Sequence, residues 1–270
     1  DRCRHVVGEH TGKQRQLTLD SDQQQIILFM ILIQFTSVIG AYISGWIVDR
    51  KSGKQSLVIF LLLMIGLGVK AALDAGVFPG PRIYPSGPPV SQTSGHGDFR
   101  TAHDGHPSFD GRASGGVAER LGWTKIADGP DEVRRAVRDN LFRGAAQIKL
   151  MAGGGVTSFT DPLFSAAYSA AELAAGVEEA KRYGTYVAVH AQTNAGVVAA
   201  LDAGAISIEH GLILEEETVK RMAKIGAYYN PQAFLALQDV SKNPMFQDPI
   251  QQEKNRQVAQ GAPQAIEWAK

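Results

Sequence analysis

Between residues 145 and 211, three short apolar segments (145–151, 185–191 and 205–211) alternate with stretches of helical period. Each segment reads as a buried strand. The order strand, helix, strand, helix, strand predicts parallel strands joined by helical crossovers. In a closed β/α barrel the chemistry gathers where the strands end, at their C-terminal side. Lys149, His190 and His210 occupy matching places near those ends and are predicted to point into one mouth. A satisfied strand-end histidine, and a Lys149 snorkelling from a rim, are the plain alternatives. Two imidazoles and an amine at equivalent places on consecutive units favour a shared metal site over either.

The surrounding pattern supplies the crossovers. Residues 128–144 read as a helix with Val133, Val137 and Leu141 as its apolar stripe, Asp131 and Glu132 in its first turn and Gly144 closing it. Ser169 and Glu172 form a capping-box signature for the next helix. Leu173, Val177 and Ala180 make its buried face, and Lys181, Arg182 and Gly184 mark its end. Asn194 is expected to cap the following helix, which Gly204 closes. Residues 215–225 are another helix, closed by Gly226, and 227–231 a further strand. The tail, 234–270, is Gln-rich and helical at best. Upstream, 71–77 reads as a short helix and 82–84 as a short strand. Residues 85–120, rich in Gly, Pro, Ser, Asp and His, read as a long loop. Gly153–Gly155 is expected to be a flexible turn beside the mouth, since no G-x-x-x-x-G-K-[ST] pattern marks a phosphate loop.

The first quarter of the chain differs in character. Residues 1–25 are a polar leader without a secretory pattern, and the chain opens with Asp1, as expected of a fragment or processed product. Residues 26–48 carry no charge and are long enough, at about 1.5 Å per residue, to cross a hydrocarbon layer of roughly 30 Å. Trp46 sits at one end, and Asp49, Arg50, Lys51 and Lys54 follow as a basic loop. A second apolar run, 57–69, is stopped by Lys70 and is too short to span; a buried core hairpin is the rival account. Three parts result: 1–25, a membrane-like helical hairpin at 26–69, and an α/β part at 70–270.

Charge and cysteine narrow the chemistry. The 27 basic and 27 acidic residues balance, so no global field points to nucleic acid. Cys3 is the single cysteine, which excludes an internal disulfide framework and a cysteine cage and suits a reducing compartment. Any transition metal must rely on imidazole and oxygen ligands, for which seven histidines are available.

Two resemblances follow. Gly45-Trp46-Ile47-Val48-Asp49-Arg50-Lys51-Ser52-Gly53-Lys54 is similar to an inter-helix loop of major facilitator transporters, with one extra residue before Gly53. Downstream, Lys149 in Gln-Ile-Lys-Leu-Met-Ala-Gly-Gly-Gly, His190 in Val-His-Ala-Gln-Thr and His210 in Ser-Ile-Glu-His-Gly together resemble the amidohydrolase superfamily. The prolidase-like and imidazolonepropionase-like branch is the nearest match. Pro79-Gly80-Pro81-Arg82, Ser94-Gly95-His96-Gly97-Asp98 and Asp161-Pro162 match that branch too, and the likeness covers about 68–270.

The resemblance implies an incomplete TIM-type β/α barrel and a metal-dependent hydrolase of C–N bonds. Small amides or dipeptides, Xaa-Pro among them, are the implied substrates. It also implies a carboxylated Lys149 bridging two divalent metals, most simply Zn²⁺, with His190 and His210 on the second. A metal-activated hydroxide would attack the carbonyl carbon, while His96 faces substrate. The sequence departs from the family in three ways. It has no His-x-His pair, since His103 and His106 have two residues between them and lie in a loop. It has no late Asp of the eighth strand, and Gln192 stands where relatives often carry an aromatic residue. The chain thus reads as a transporter-like segment joined to the middle of a hydrolase, with little activity expected as it stands. A membrane-anchored binding protein without catalysis is one rival reading. A mononuclear deaminase of the same superfamily is another, which Lys149 speaks against. The expected location is cytoplasmic for the hydrolase part, with membrane association through 26–69.

Overall fold

The computed structural model describes residues 66–77, 79–101, 104, 116–233 and 248–270. Backbone contacts divide the chain into Asp1–Leu63 and Met64–Lys270, and all that follows concerns the second unit. The polar leader, the run at 26–48 and the transporter-like loop lie outside the described residues, as do His103 and His106. Among the described residues no helix is long and apolar enough to cross a membrane.

The described elements, in order, are α1 (Gly66–Asp74), β1 (Val90–Ser91), α2 (Val117–Arg120), β2 (Lys125–Ile126), α3 (Pro130–Phe142) and β3 (Ile148–Met151), then α4 (Ala170–Arg182), β4 (Val187–Thr193), α5 (Asn194–Asp202), β5 (Ser207–Ile213), α6 (Glu216–Ile225), β6 (Tyr228–Asn230) and α7 (Pro249–Trp268). The strands form one sheet in the order β2-β1-β3-β4-β5-β6, and every pairing is parallel. Alternating strands and helices with an all-parallel sheet match the barrel-type α/β class, and the described strands make part of such a wall.

One side of this sheet is apolar. Ile148, Leu150, Val187, Val189 and Ile208 are fully or almost fully buried and meet Val133 and Val137 of α3 and Leu173, Val177 and Ala180 of α4. Gly176 allows the close approach of α4: a Cβ there would stand 2.8 Å from Leu150 Cδ1. The capping box at Ser169 is formed. Its hydroxyl accepts from Glu172 N while Glu172 accepts from Ser169 N at 2.8 Å. Arg138 of α3 grips Glu179 of α4 with two bonds of 2.7 and 2.9 Å.

Several boundaries differ from expectation. Residues 82–84 form no strand; the chain there is tied to the sheet by Ala146 N donating to Pro85 O and by Gln147 Nε2 donating to Tyr84 O. The long loop at 85–120 contains β1, a two-residue strand. Asn194 does not cap α5. Thr193 holds that position, and Asn194 Oδ1 accepts from Glu215 N instead. Gly226 closes α6 at φ 71°, where a Cβ would be strained.

Candidate active site

His96 follows β1 by a short turn, while Lys149, His190 and His210 lie within β3, β4 and β5, short of the strand ends that the sequence suggested. Met151 of β3 pairs with His190 of β4, and Lys149 with Ala188, so Lys149 and His190 share the face away from the helices. Strict alternation along β5 would turn His210 away from them, because Glu209, its neighbour, is the residue paired with His190. The strand breaks that alternation. His210 adopts φ 71° and Gly211 φ 55°, and the β4–β5 register shifts between Ala191 and Thr193. A left-handed, non-glycine residue costs roughly 1–3 kcal/mol, which the surrounding fold must hold. The result is an imidazole delivered to the same side: the His190 and His210 rings lie 4.7 Å apart, edge to face.

His96 arrives from β1 through a tight turn. Gly95 N donates to Gln92 O, Asp98 N to Gly95 O, and the buried Gly97 N to Ser91 Oγ at 3.1 Å. The His96 ring stacks on His190 with centroids 4.2 Å apart and planes inclined by 20°. A Cβ at Gly155 would stand 2.0 Å from that ring, and one at Gly154 would stand 2.0 Å from Pro162 O. Gly153 bridges to Ala166. The glycine run is therefore a close-packed wall of the site, where sequence alone suggested a flexible turn.

Hydrogen bonds assign the tautomers. Ser158 Oγ donates its one proton to Gly155 O, so it accepts from His96 Nδ1 at 2.8 Å. Asp161 Oδ2, 3.9 Å from the same nitrogen, favours a proton there as well. His96 Nε2 is left as a lone pair. On His190, Nε2 donates to Gly154 O at 3.2 Å, which leaves Nδ1 as the lone pair.

All three imidazoles are held neutral. Burial lowers His96 to about 4, against the opposing pull of Asp161, with the charges of Lys254 and Lys149 adding to the drop. Burial lowers His190 well below its ordinary value, with His96, His210 and Lys149 contributing. Burial, then Lys149, lowers His210 to about 3. Lys149 is itself lowered to about 8 by burial, against the pull of Glu209. It therefore gives up its proton more readily than an ordinary lysine.

The donor chemistry fits a divalent cation. Neutral imidazoles with free lone pairs are what such an ion binds, and an amine that loses its proton near neutrality can be carboxylated. Among the described residues no three His, Cys, Asp or Glu side chains converge on one point. Lys149 shares the sheet face of His190 and acts electrostatically on all three imidazoles. His96 stacks on the face of His190, whose ring also meets that of His210 edge to face.

Sequence reasoning missed three residues here. Glu209 faces Lys149 electrostatically and accepts from Ser207 Oγ and Asn230 Nδ2, both at 2.9 Å. Ser158 fixes His96. Lys254 reaches the glycine loop from α7. Glu209 stands next to His210 within a quoted motif, so alternation could have marked it. Ser158 and Lys254 gave no signal.

The amidohydrolase family model matches residues 65–266. An ochratoxinase of Aspergillus niger is 41% identical over 170 residues, which are 61% of this chain and 35% of that protein. A crystal structure of an amidohydrolase shares 40% identity at TM-score 0.66, covering 76% of this chain and 49% of the other. A prolidase complexed with N-methylphosphonate-L-proline shares 32% identity at TM-score 0.67, covering 81% and 57%. The chain thus spans about a third of the curated relatives it matches and about half of these solved ones.

Proposed function

Because this chain belongs to the amidohydrolase family, we propose that its mouth is the metal-binding half of a C–N hydrolase acting on small amides or dipeptides. Lys149, as its carbamate, and the imidazoles of His190 (through Nδ1) and His210 would hold a divalent cation, most simply Zn²⁺. Such a cation supplies an activated water and polarises the scissile carbonyl.

The chain's own residues do the rest. Gly154 O fixes the ring of His190 by accepting from its Nε2, so the other nitrogen faces the site. Ser158 and Asp161 hold the proton of His96 on Nδ1, so its Nε2 lone pair can accept a proton or an N–H from substrate. Depressed imidazole basicity keeps all three rings from charging near neutrality. Glu209, beside Lys149, favours the protonated amine until carboxylation removes that charge.

The single observation that carries this reading is the meeting of His190 and His210 on the Lys149 face, achieved only through the left-handed backbone at residue 210. Support for the substrate class comes from relatives whose names record ochratoxinase and prolidase. With no His-x-His pair in the sequence, one metal ion per chain is expected instead of two. The test is zinc stoichiometry with a substrate panel of Xaa-Pro dipeptides and ochratoxin. One zinc per chain, lost in His190→Ala and in His210→Ala, is expected, with slow hydrolysis of one panel member. A wild-type chain that binds no divalent metal at any pH would overturn the proposal.

A further inference from the structure

The C-terminal helix α7 carries a lysine that neither the fold nor the proposed ligand set requires. Lys254 is 6% exposed, and its ammonium donates to three backbone carbonyls of one loop: Gly155 O at 3.2 Å, Ser158 O at 2.8 Å and Asp161 O at 2.6 Å. Those three bonds use all three of its protons. Asp161 Oδ1 lies a further 3.8 Å away and compensates the buried charge. Three residues earlier on the same helical face, Gln251 Nε2 donates to Thr157 O. The helix and the loop are separated by more than ninety residues of chain, so local sequence does not dictate the contact.

The loop so gathered is the one that holds His96. Gly155 underlies the imidazole, Ser158 accepts from its Nδ1, and Asp161 Oδ2 ties the loop back on itself by accepting from Gly155 N at 2.7 Å. The other end of α7 is fixed independently. Gly261 lets it lie against β5, where a Cβ would stand 2.4 Å from Leu212 O, and Val258, Ala262 and Ala265 are buried along the same stripe.

We propose that Lys254 is a positioning residue, drawing the carbonyls of 155, 158 and 161 onto one ammonium so that Ser158 and Asp161 hold the His96 proton on Nδ1. The site's third imidazole thereby keeps its Nε2 lone pair turned to the mouth. A surface lysine would contribute solubility, whereas this one sets a tautomer across the fold. Its functional meaning rests on the hydrolase reading above, but its geometry does not.

The experiment therefore reads the tautomer directly. In the metal-free wild-type chain at pH 7.5, the nitrogen-15 shifts of His96 should report a single Nδ1–H form. In Lys254→Met, which keeps the volume, they should move to an exchange-averaged mixture. Ethylammonium added to Lys254→Ala should restore the single form by occupying the vacated space. A lysine that merely supports the fold would lower the melting temperature and leave the His96 shifts unchanged, and that result overturns the proposal. Should Lys254→Met fail to fold, the wild-type chain still decides. Couplings across the hydrogen bonds from the Lys254 ammonium to the carbonyls of 155, 158 and 161 are expected, and a freely exchanging ammonium without them would refute it. A shifted tautomer in a chain that binds no metal and turns over no substrate would sink the hydrolase reading while leaving the positioning role intact.

Discussion

The two faces of the sheet are built on opposite principles. The helix side is apolar, locally specified and relaxed. Val133, Val137, Leu173 and Val177 follow helical period and fill the space over Ile148, Leu150 and Val189 with no polar atom among them. The mouth side is polar and strained. Of the three non-glycine residues with positive φ among the described residues, Ser94 and Gln232 lie just beyond the C-terminal ends of β1 and β6, and His210 lies in the middle of β5. Buried Asp161 Oδ1 and Gln192 Oε1 make no hydrogen bond among the described residues, a cost that α3 and α4 on the helix side share only at Asn140 Oδ1. A chain that spends stability at the mouth must recover it on the other face, so mutations on the two sides should differ in kind as well as size.

The largest effect is expected on the helix side. Leu150→Ala should destabilise the chain by about 3–4 kcal/mol, through lost burial and the cavity it leaves under Gly176. Denaturant titration measures it, and an unchanged midpoint would break the contrast. Acid should strike the mouth next. For His96 the folded pKa of about 4 lies below the unfolded value of about 6.5, so the unfolded chain binds the extra proton between them. The metal-free chain should be fully stabilised above pH 6.5 and lose stability as pH falls towards 4, by about 3 kcal/mol at most from this ring. His96→Asn should flatten that limb of a pH–stability curve.

A smaller free energy, but the clearest signature, belongs to the proposed ligands. His190→Ala should weaken zinc binding at least 100-fold, about 2.7 kcal/mol, in a competition assay against a chelating dye. It should change the metal-free unfolding midpoint far less than Leu150→Ala does, because the ring it removes is held by one carbonyl bond and two ring contacts. The smallest expected effect is at the edge of the relaxed face. Ser169→Ala should cost about 1 kcal/mol by opening the capping box of α4, with no change in zinc affinity.

What the sequence revealed divides along the same line. The α3 stripe, the Ser169–Glu172 cap, the glycine stops and the three central strands were legible because each rests on neighbours within a few residues. β1 was not, since two strand residues inside a Gly- and Pro-rich stretch leave no period to detect. Asn194 was misjudged because its oxygen serves Glu215 N, twenty-one residues on. At the mouth, strand spacing singled out Lys149, His190 and His210 and motif resemblance added His96, while the backbone turn that swings His210 beside His190 has no sequence signal beyond the glycine that follows it. Ser158 and Lys254 act through contacts made only after folding.

The glycines at 154 and 155 carry a practical consequence for anyone wishing to redirect this scaffold. Because Pro162 O and the His96 ring already fill the space where a first carbon would go, libraries that randomise those two codons would consist almost wholly of collapsed pockets. Phe159 and Phe164, 62% and 59% exposed on the same loop, can accept nearly any side chain, so diversification there would alter the loop's surface without pressing on those two glycines.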